Sequence, residues 1–96
     1  MFKMIIRLVN RKEIAELQGE LEGLELRLPS MKDKLYQSRS TAELWEERVK
    51  TVMATEGEKK ASVDYYWADV YKDEEEISRM EVRIEEIKER LVLLGL

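Results

Sequence analysis

The sequence predicts an all-α fold: a long antiparallel helical hairpin with a coiled-coil-like seam. Three observations point to it. First, residues 63–94 place Val63, Val70, Ile77, Ile84 and Leu91 at one position of a seven-residue count. Tyr66, Asp73, Met80, Ile87 and Leu94 fall at a second position. Apolar residues three and then four apart mark a helix that buries one narrow stripe. Second, an earlier run keeps a similar count through Ile14, Leu17, Leu21, Leu24, Leu28, Met31, Leu35, Ser38, Ala42, Trp45, Val49 and Val52. Third, the stripe fails between the two runs. There Glu56 and Lys59 fall on core positions, where a dry seam penalises charge heavily, and Gly57 sits at the centre.

Composition agrees with long helices. The chain has 96 residues, 40% of them charged and 7% aromatic, with a single proline, which bounds it to one small domain. The net charge of -4 supplies no general attraction to nucleic acid. Absence of cysteine removes disulfides and thiolate metal sites, and absence of histidine removes the commonest metal ligand and neutral-pH base. The apolar runs are far shorter than the roughly 20 residues that span a bilayer, and no small-residue cleavage site follows the first of them. A reducing cytoplasm, or the inside of a virus particle, is the expected compartment.

Residues 1–9 alternate Phe2, Met4, Ile6 and Leu8 with Met1, Lys3, Ile5, Arg7 and Val9. That pattern suits a short strand with one more apolar face, and equally a first helical turn or two. Asn10 followed by Glu13 resembles a capping box, so the first arm is placed at 10–54. Gly19 and Gly23 weaken it by roughly 1 kcal/mol each relative to alanine. Pro29 interrupts it and Ser30 with Asp33 could restart it. Because the seven-residue phase survives the proline, a kink is expected rather than a reversal. The bend is placed at 55–61 and the second arm at 62–94, with Gly95 as a C-terminal stop.

Folding about Gly57 and Glu58 sets Val52 opposite Val63, Trp45 opposite Val70, Leu35 opposite Met80, Leu24 opposite Leu91 and Leu21 opposite Leu94. The polar layers then coincide, with Ala42 facing Asp73 beside Ser38 facing Ile77. Flanking charges mostly agree: Arg39 with Glu74, Lys32 with Glu81, Glu25 with Lys88 and Arg48 with Asp69. Against them, Lys34 meets Arg83 and Arg27 meets Arg90. Exposed pairs contribute about 0–1 kcal/mol each, so they select a register without holding the fold. A parallel dimer of one long helix would instead repel at Asp69 with Glu74, Glu76 with Glu81 and Arg83 with Lys88.

This register leaves Ile14, Leu17 and the segment containing Phe2, Met4, Ile6 and Leu8 beyond the second arm. Leu26, Leu44 and Val82 also point away from the seam. Such an overhang needs cover from a second copy or another protein, so these positions are the expected oligomer contacts. Tyr65, Trp67 and Tyr71, with Asp64, Glu75 and Ser78, form the expected partner-binding ridge, because tryptophan and tyrosine dominate interface hot spots. The same rings also suit packing that thickens the bundle near the bend.

Other clusters say less. Asp73-Glu74-Glu75-Glu76 lacks the alternating ligands and hinge glycine of a hard-cation loop and reads as a solvated helix face. Asp73 alone occupies a seam position, where a polar residue specifies register, with Arg39 as a candidate neutraliser. Lys3, Arg7, Arg11 and Lys12 give the first twelve residues four cations and no acid. Three uses suit them: docking on the acidic 69–76 region of a neighbouring subunit, a membrane-surface helix, or a strand of a ribbon-type DNA reader. Docking fits the acidic total best, so nucleic acid and membrane are set aside as partners.

No nucleophile elbow, phosphate loop or metal-ligand spacing is present, so no cofactor, metal or catalytic residue is assigned. The function expected is a non-catalytic assembly or adaptor protein that self-associates, of the scaffold or virion-structural kind. The alternative is a small regulator that inhibits another macromolecule, or an antitoxin-like repressor using its basic N-terminus.

Overall fold

Two helices of 38 residues carry most of the chain. The computed structural model describes residues 2–96, the side chain of Lys3 excepted. Expectations that fall on Met1 and on the Lys3 side chain lie outside these residues. The order is α1 (Phe2–Val9), α2 (Arg11–Arg48), a 3-10 turn (Val49–Thr51) and α3 (Glu56–Leu93). The chain is an all-α helical hairpin, with no strand among the described residues. It divides into two compact units, each drawing on both long helices: Met1–Pro29 with Ser78–Leu96, and Ser30–Ile77.

In the first unit, Ile14, Ile87, Leu91 and Leu94 form one buried cluster, and Leu17, Leu21 and Leu24 pack against it. Arg90 Nε donates to Glu13 Oε1 at 2.8 Å, and Arg83 Nε donates to Glu20 Oε1 at 2.8 Å. Rising numbers on α2 meet falling numbers on α3, so the two segments run antiparallel. Two expectations are corrected here. Ile14 and Leu17 do not overhang, because Ile87, Leu91 and Leu94 cover them. Arg83 and Arg90 do not face Lys34 and Arg27 but bind Glu20 and Glu13. Glu13 therefore reaches across to α3 and does not close a capping box with Asn10.

Residues 2–9 are helical, so of the two readings of this segment the helical one holds and the possible strand does not. Period-two alternation of four apolar residues is shared by any apolar octapeptide. Ile5 and Val9 break it and complete the three-and-four spacing of a helix. Asn10 joins α1 to α2: its backbone and side-chain N–H groups both donate to the Ile6 carbonyl at 3.0 Å. The Asn10 carbonyl accepts from the Ile14 N–H at 2.9 Å.

At the other end of this unit, Gly95 adopts φ 100°, a conformation that costs glycine alone little. The Leu96 N–H reaches the Leu91 carbonyl at 3.0 Å and the Gly95 N–H reaches the Val92 carbonyl at 3.1 Å. This is the Schellman pattern that stops a helix. It also frees the Gly95 carbonyl, which accepts from Arg7 Nε at 2.7 Å. One glycine thus ends α3 and moors α1.

In the second unit, Ala42, Val70, Asp73 and Ile77 are buried. Trp45 stacks on Tyr66 with centroids 5.1 Å apart and planes 6° from parallel, and Ser38 Oγ donates to Asp73 Oδ2 at 2.9 Å. Trp45 thus meets Tyr66, where Val70 was expected. The bend also differs. α2 gives way to the 3-10 turn after Arg48, and α3 begins at Glu56. Thr55 Oγ1 accepts from the Glu58 N–H at 3.1 Å and the Thr55 carbonyl accepts from the Lys59 N–H at 3.0 Å. Thr55 is therefore the N-cap of α3, and Gly57 lies inside its first turn rather than at the centre of a bend over 55–61. Within α2, Pro29 sits in helix and does not end it.

Burial separates structural from surface apolar residues. Ile87 is 0% exposed, Leu26 is 72% exposed. Ile87→Ala is expected to lower unfolding free energy by about 2–5 kcal/mol, whereas Leu26→Ala changes it by less than about 0.5 kcal/mol. Urea denaturation of both variants checks this; equal losses would contradict the packing described.

Candidate interaction surfaces

Three features stand out from the helical background: the outer face of α1, an aromatic groove on the second unit, and a buried carboxylate. α1 keeps one polar contact with the rest of its unit and shows most of its described apolar side chains to water. Arg7 is held by the Gly95 carbonyl and Ile6 is half-buried. Phe2, Met4, Ile5, Leu8 and Val9 face solvent, from 57% exposed at Ile5 to 82% at Phe2. Val92, Leu93 and Leu96 are exposed in the same unit. An amphipathic helix that folds alone turns its apolar stripe inward; among the described side chains of α1 only Ile6 is half-buried. Of the expected oligomer contacts, Phe2, Met4 and Leu8 are fully available, Ile6 partly so, while Leu17 is half-buried and Ile14 belongs to the core. Ile5 and Val9 were not singled out in the sequence because a strand reading puts them on the wrong face.

On the second unit, Trp67 and Tyr71 lie one turn apart with ring centroids 6.1 Å apart. They line an open groove with Val63, Ala68, Glu46 and Asp64. Glu46 comes from α2 and was not foreseen. Tyr65 lies outside this groove, exposed, and meets the edge of Tyr66 at 5.3 Å. The Arg48 guanidinium lies 5.8 Å from the Trp45 ring and extends the Trp45–Tyr66 stack. The aromatic residues therefore divide between two sites, Tyr66 and Tyr65 with Trp45, and Trp67 with Tyr71.

Asp73 is 2% exposed. Ser38 donates to one of its oxygens, and Lys34 Nζ lies 3.5 Å from the other. Arg39, expected as its neutraliser, instead binds Glu74 at 2.6 Å. Ser38 and Lys34 both lie on α2 one turn apart, so a single face of α2 supplies the donors. No buried side-chain nitrogen or oxygen among the described residues lacks a partner.

Among the described residues no group of three or more acidic, histidine or cysteine side chains comes together to hold a metal. No helix in them is long and apolar enough to cross a membrane. Compared with protein families, curated proteins and solved structures, the chain matches none of them.

The half-exposed ion pairs set a pH dependence. Hydrogen bonding from Arg83, with its positive charge, holds the Glu20 carboxyl below the ordinary 4.5, and Glu20 in turn raises Arg83. Glu13 likewise raises Arg90 through their hydrogen bond. A lowered folded-state carboxyl contributes stability fully above its unfolded value and loses it as pH falls through the folded value. Denaturant midpoints measured from about pH 6 down to about pH 2 should fall less steeply at the acid end for Glu20→Gln than for the parent. Identical profiles would contradict the pairing.

Asp73 gives a second test. Ser38→Ala removes a donor from a buried carboxylate and is expected to cost about 1–3 kcal/mol. Asp73→Leu fills the same space without charge and is expected to be neutral or stabilising. In the Asp73→Leu background the Ser38→Ala cost should vanish, as a double-mutant cycle would read; a cost that persists unchanged would show that the two side chains do not interact.

Proposed function

We propose that this protein is a non-catalytic assembly or adaptor component that self-associates through the outer face of α1. The carrying observation is the exposed apolar face of α1: Phe2, Met4, Ile5, Leu8 and Val9 face water while Arg7 is bound to the Gly95 carbonyl. Each such side chain gains about 1.5–3 kcal/mol on full burial. Five of them offset much of the roughly 4–15 kcal/mol that association costs in lost freedom. The reading is structural because the features that carry it are surfaces and not a catalytic constellation. It suits a scaffold or a virion component, in the cytoplasm or within a particle.

The two long helices belong to the same reading as a coiled-coil-like hairpin. Its heptad seam runs through Val63, Val70, Ile77, Ile84 and Leu91, and Pro29, lacking an N–H, kinks the first arm. Asp73 sets the register of this seam. The regulator alternative keeps the basic N-terminus as its support, but a ribbon-type DNA reader needs a strand where α1 is helical.

Light scattering across a wide concentration range tests the proposal. The parent chain is expected to form dimers or larger species, and Ile5→Glu with Leu8→Glu is expected to yield monomers of unchanged helix content. A parent chain that stays monomeric at every concentration would contradict self-association and favour the regulator.

A further inference from the structure

The groove beside Trp67 and Tyr71 is a second surface that the fold leaves open. We infer that it receives α1 of a second copy, so that the chain assembles head to tail. This rests on the self-association proposed above and adds the receiving surface.

Complementary chemistry is the first support. The groove combines apolar walls, Val63, Ala68 and the two rings, with the carboxylates of Glu46 and Asp64, while Lys50, Lys59 and Lys60 line the adjoining pocket on the other side of Val63. α1 presents the opposite set. Its exposed face is apolar, Arg11 and Lys12 follow it on the surface, and no acid occurs among the first twelve residues. The chain as a whole is acidic at -4, so this positive segment is a local reversal of charge, and the acidic groove is a fitting counterpart.

Length is the second. From Val63 to Tyr71 the groove follows α3 for about two turns, or roughly 12 Å. α1 has eight residues, which is again roughly 12 Å. Leu8 and Ile5 can then meet the rings while Arg11 and Lys12 approach Glu46 and Asp64.

The competing occupant of the α1 face is α1 of another copy about a two-fold axis. That arrangement also buries the apolar side chains, but it offers Arg11 and Lys12 no carboxylate on the other α1, since no acid occurs among the first twelve residues. Docking in the groove buries the same side chains with opposite charges together. A contact between two different patches is heterologous, so it closes into a ring or continues as a filament.

Mixing two variants tests this. A head variant carries Ile5→Glu and Leu8→Glu; a tail variant carries Trp67→Ala and Tyr71→Ala. Each alone is expected to be monomeric by sedimentation velocity with the parent's circular dichroism. Mixed in equal amounts they should form heterodimers, because one intact head and one intact tail remain. A second tail variant, Glu46→Lys with Asp64→Lys, alters only exposed positions and should weaken association of the parent by about tenfold or more, which keeps the test decisive if loss of the rings unfolds the chain.

A tail variant that associates as tightly as the parent overturns the inference while leaving self-association through α1 intact. So does a mixture that stays monomeric. A parent chain that never associates overturns both.

Discussion

Two helices packed side by side can each bury only one stripe, and that constraint governs the molecule. Every apolar side chain off the stripe stays in water unless another surface covers it. Among the described residues nine hydrophobic side chains are buried, and seven of these lie on α3 or the turn that ends it. α3 is thus the element on which the shorter apolar rows of α2 are assembled. It is also where burial of polar groups is most tightly controlled, since the buried Asp73 is matched by Ser38 and Lys34. This buried carboxylate is satisfied by two groups one turn apart on the opposing helix, and removing them would leave a buried charge at high cost.

The same constraint produces the surplus that carries the functional reading. α1 cannot bury its apolar face against a hairpin whose stripes are already used. It is moored by a polar contact, from Arg7 to the carbonyl released at Gly95, and turns its apolar side outward. The groove of Trp67 and Tyr71, with the carboxylates of Glu46 and Asp64, is a second open surface, on the other unit.

Much of the helical architecture was legible in the sequence because it depends on repetition. The recurring positions from Val70 to Leu94 are buried, and the contact of Arg39 with Glu74 follows from simple proximity on antiparallel helices. Punctuation was harder to read. Gly57 drew the bend toward itself, although a threonine three residues before a glutamate is the stronger start signal, and Thr55 with Glu58 sets where α3 begins. A single constant register leaves Ile14 without cover and sets Arg83 against Lys34, whereas Ser38 with Asp73 in the second unit and Glu20 with Arg83 in the first do not share one register. α1 was ambiguous for a different reason: eight residues, six of them apolar, contain too few polar positions to distinguish a period of two from one of three and a half. The pairing of Trp67 with Tyr71 was legible from their four-residue spacing. Glu46, contributed by the other helix, depends on a register the sequence did not determine.

The pairing within the first unit is the most direct point at which to test this account. In a sample with labelled isoleucine and leucine methyl groups, nuclear Overhauser effects from Ile14 report which residues of α3 it touches. Cross-peaks from Ile14 to Ile87, Leu91 or Leu94 are the predicted result. An Ile14 methyl without contacts to α3, with Leu21 joined to Leu94 in its place, would restore the overhanging register and contradict the structure described.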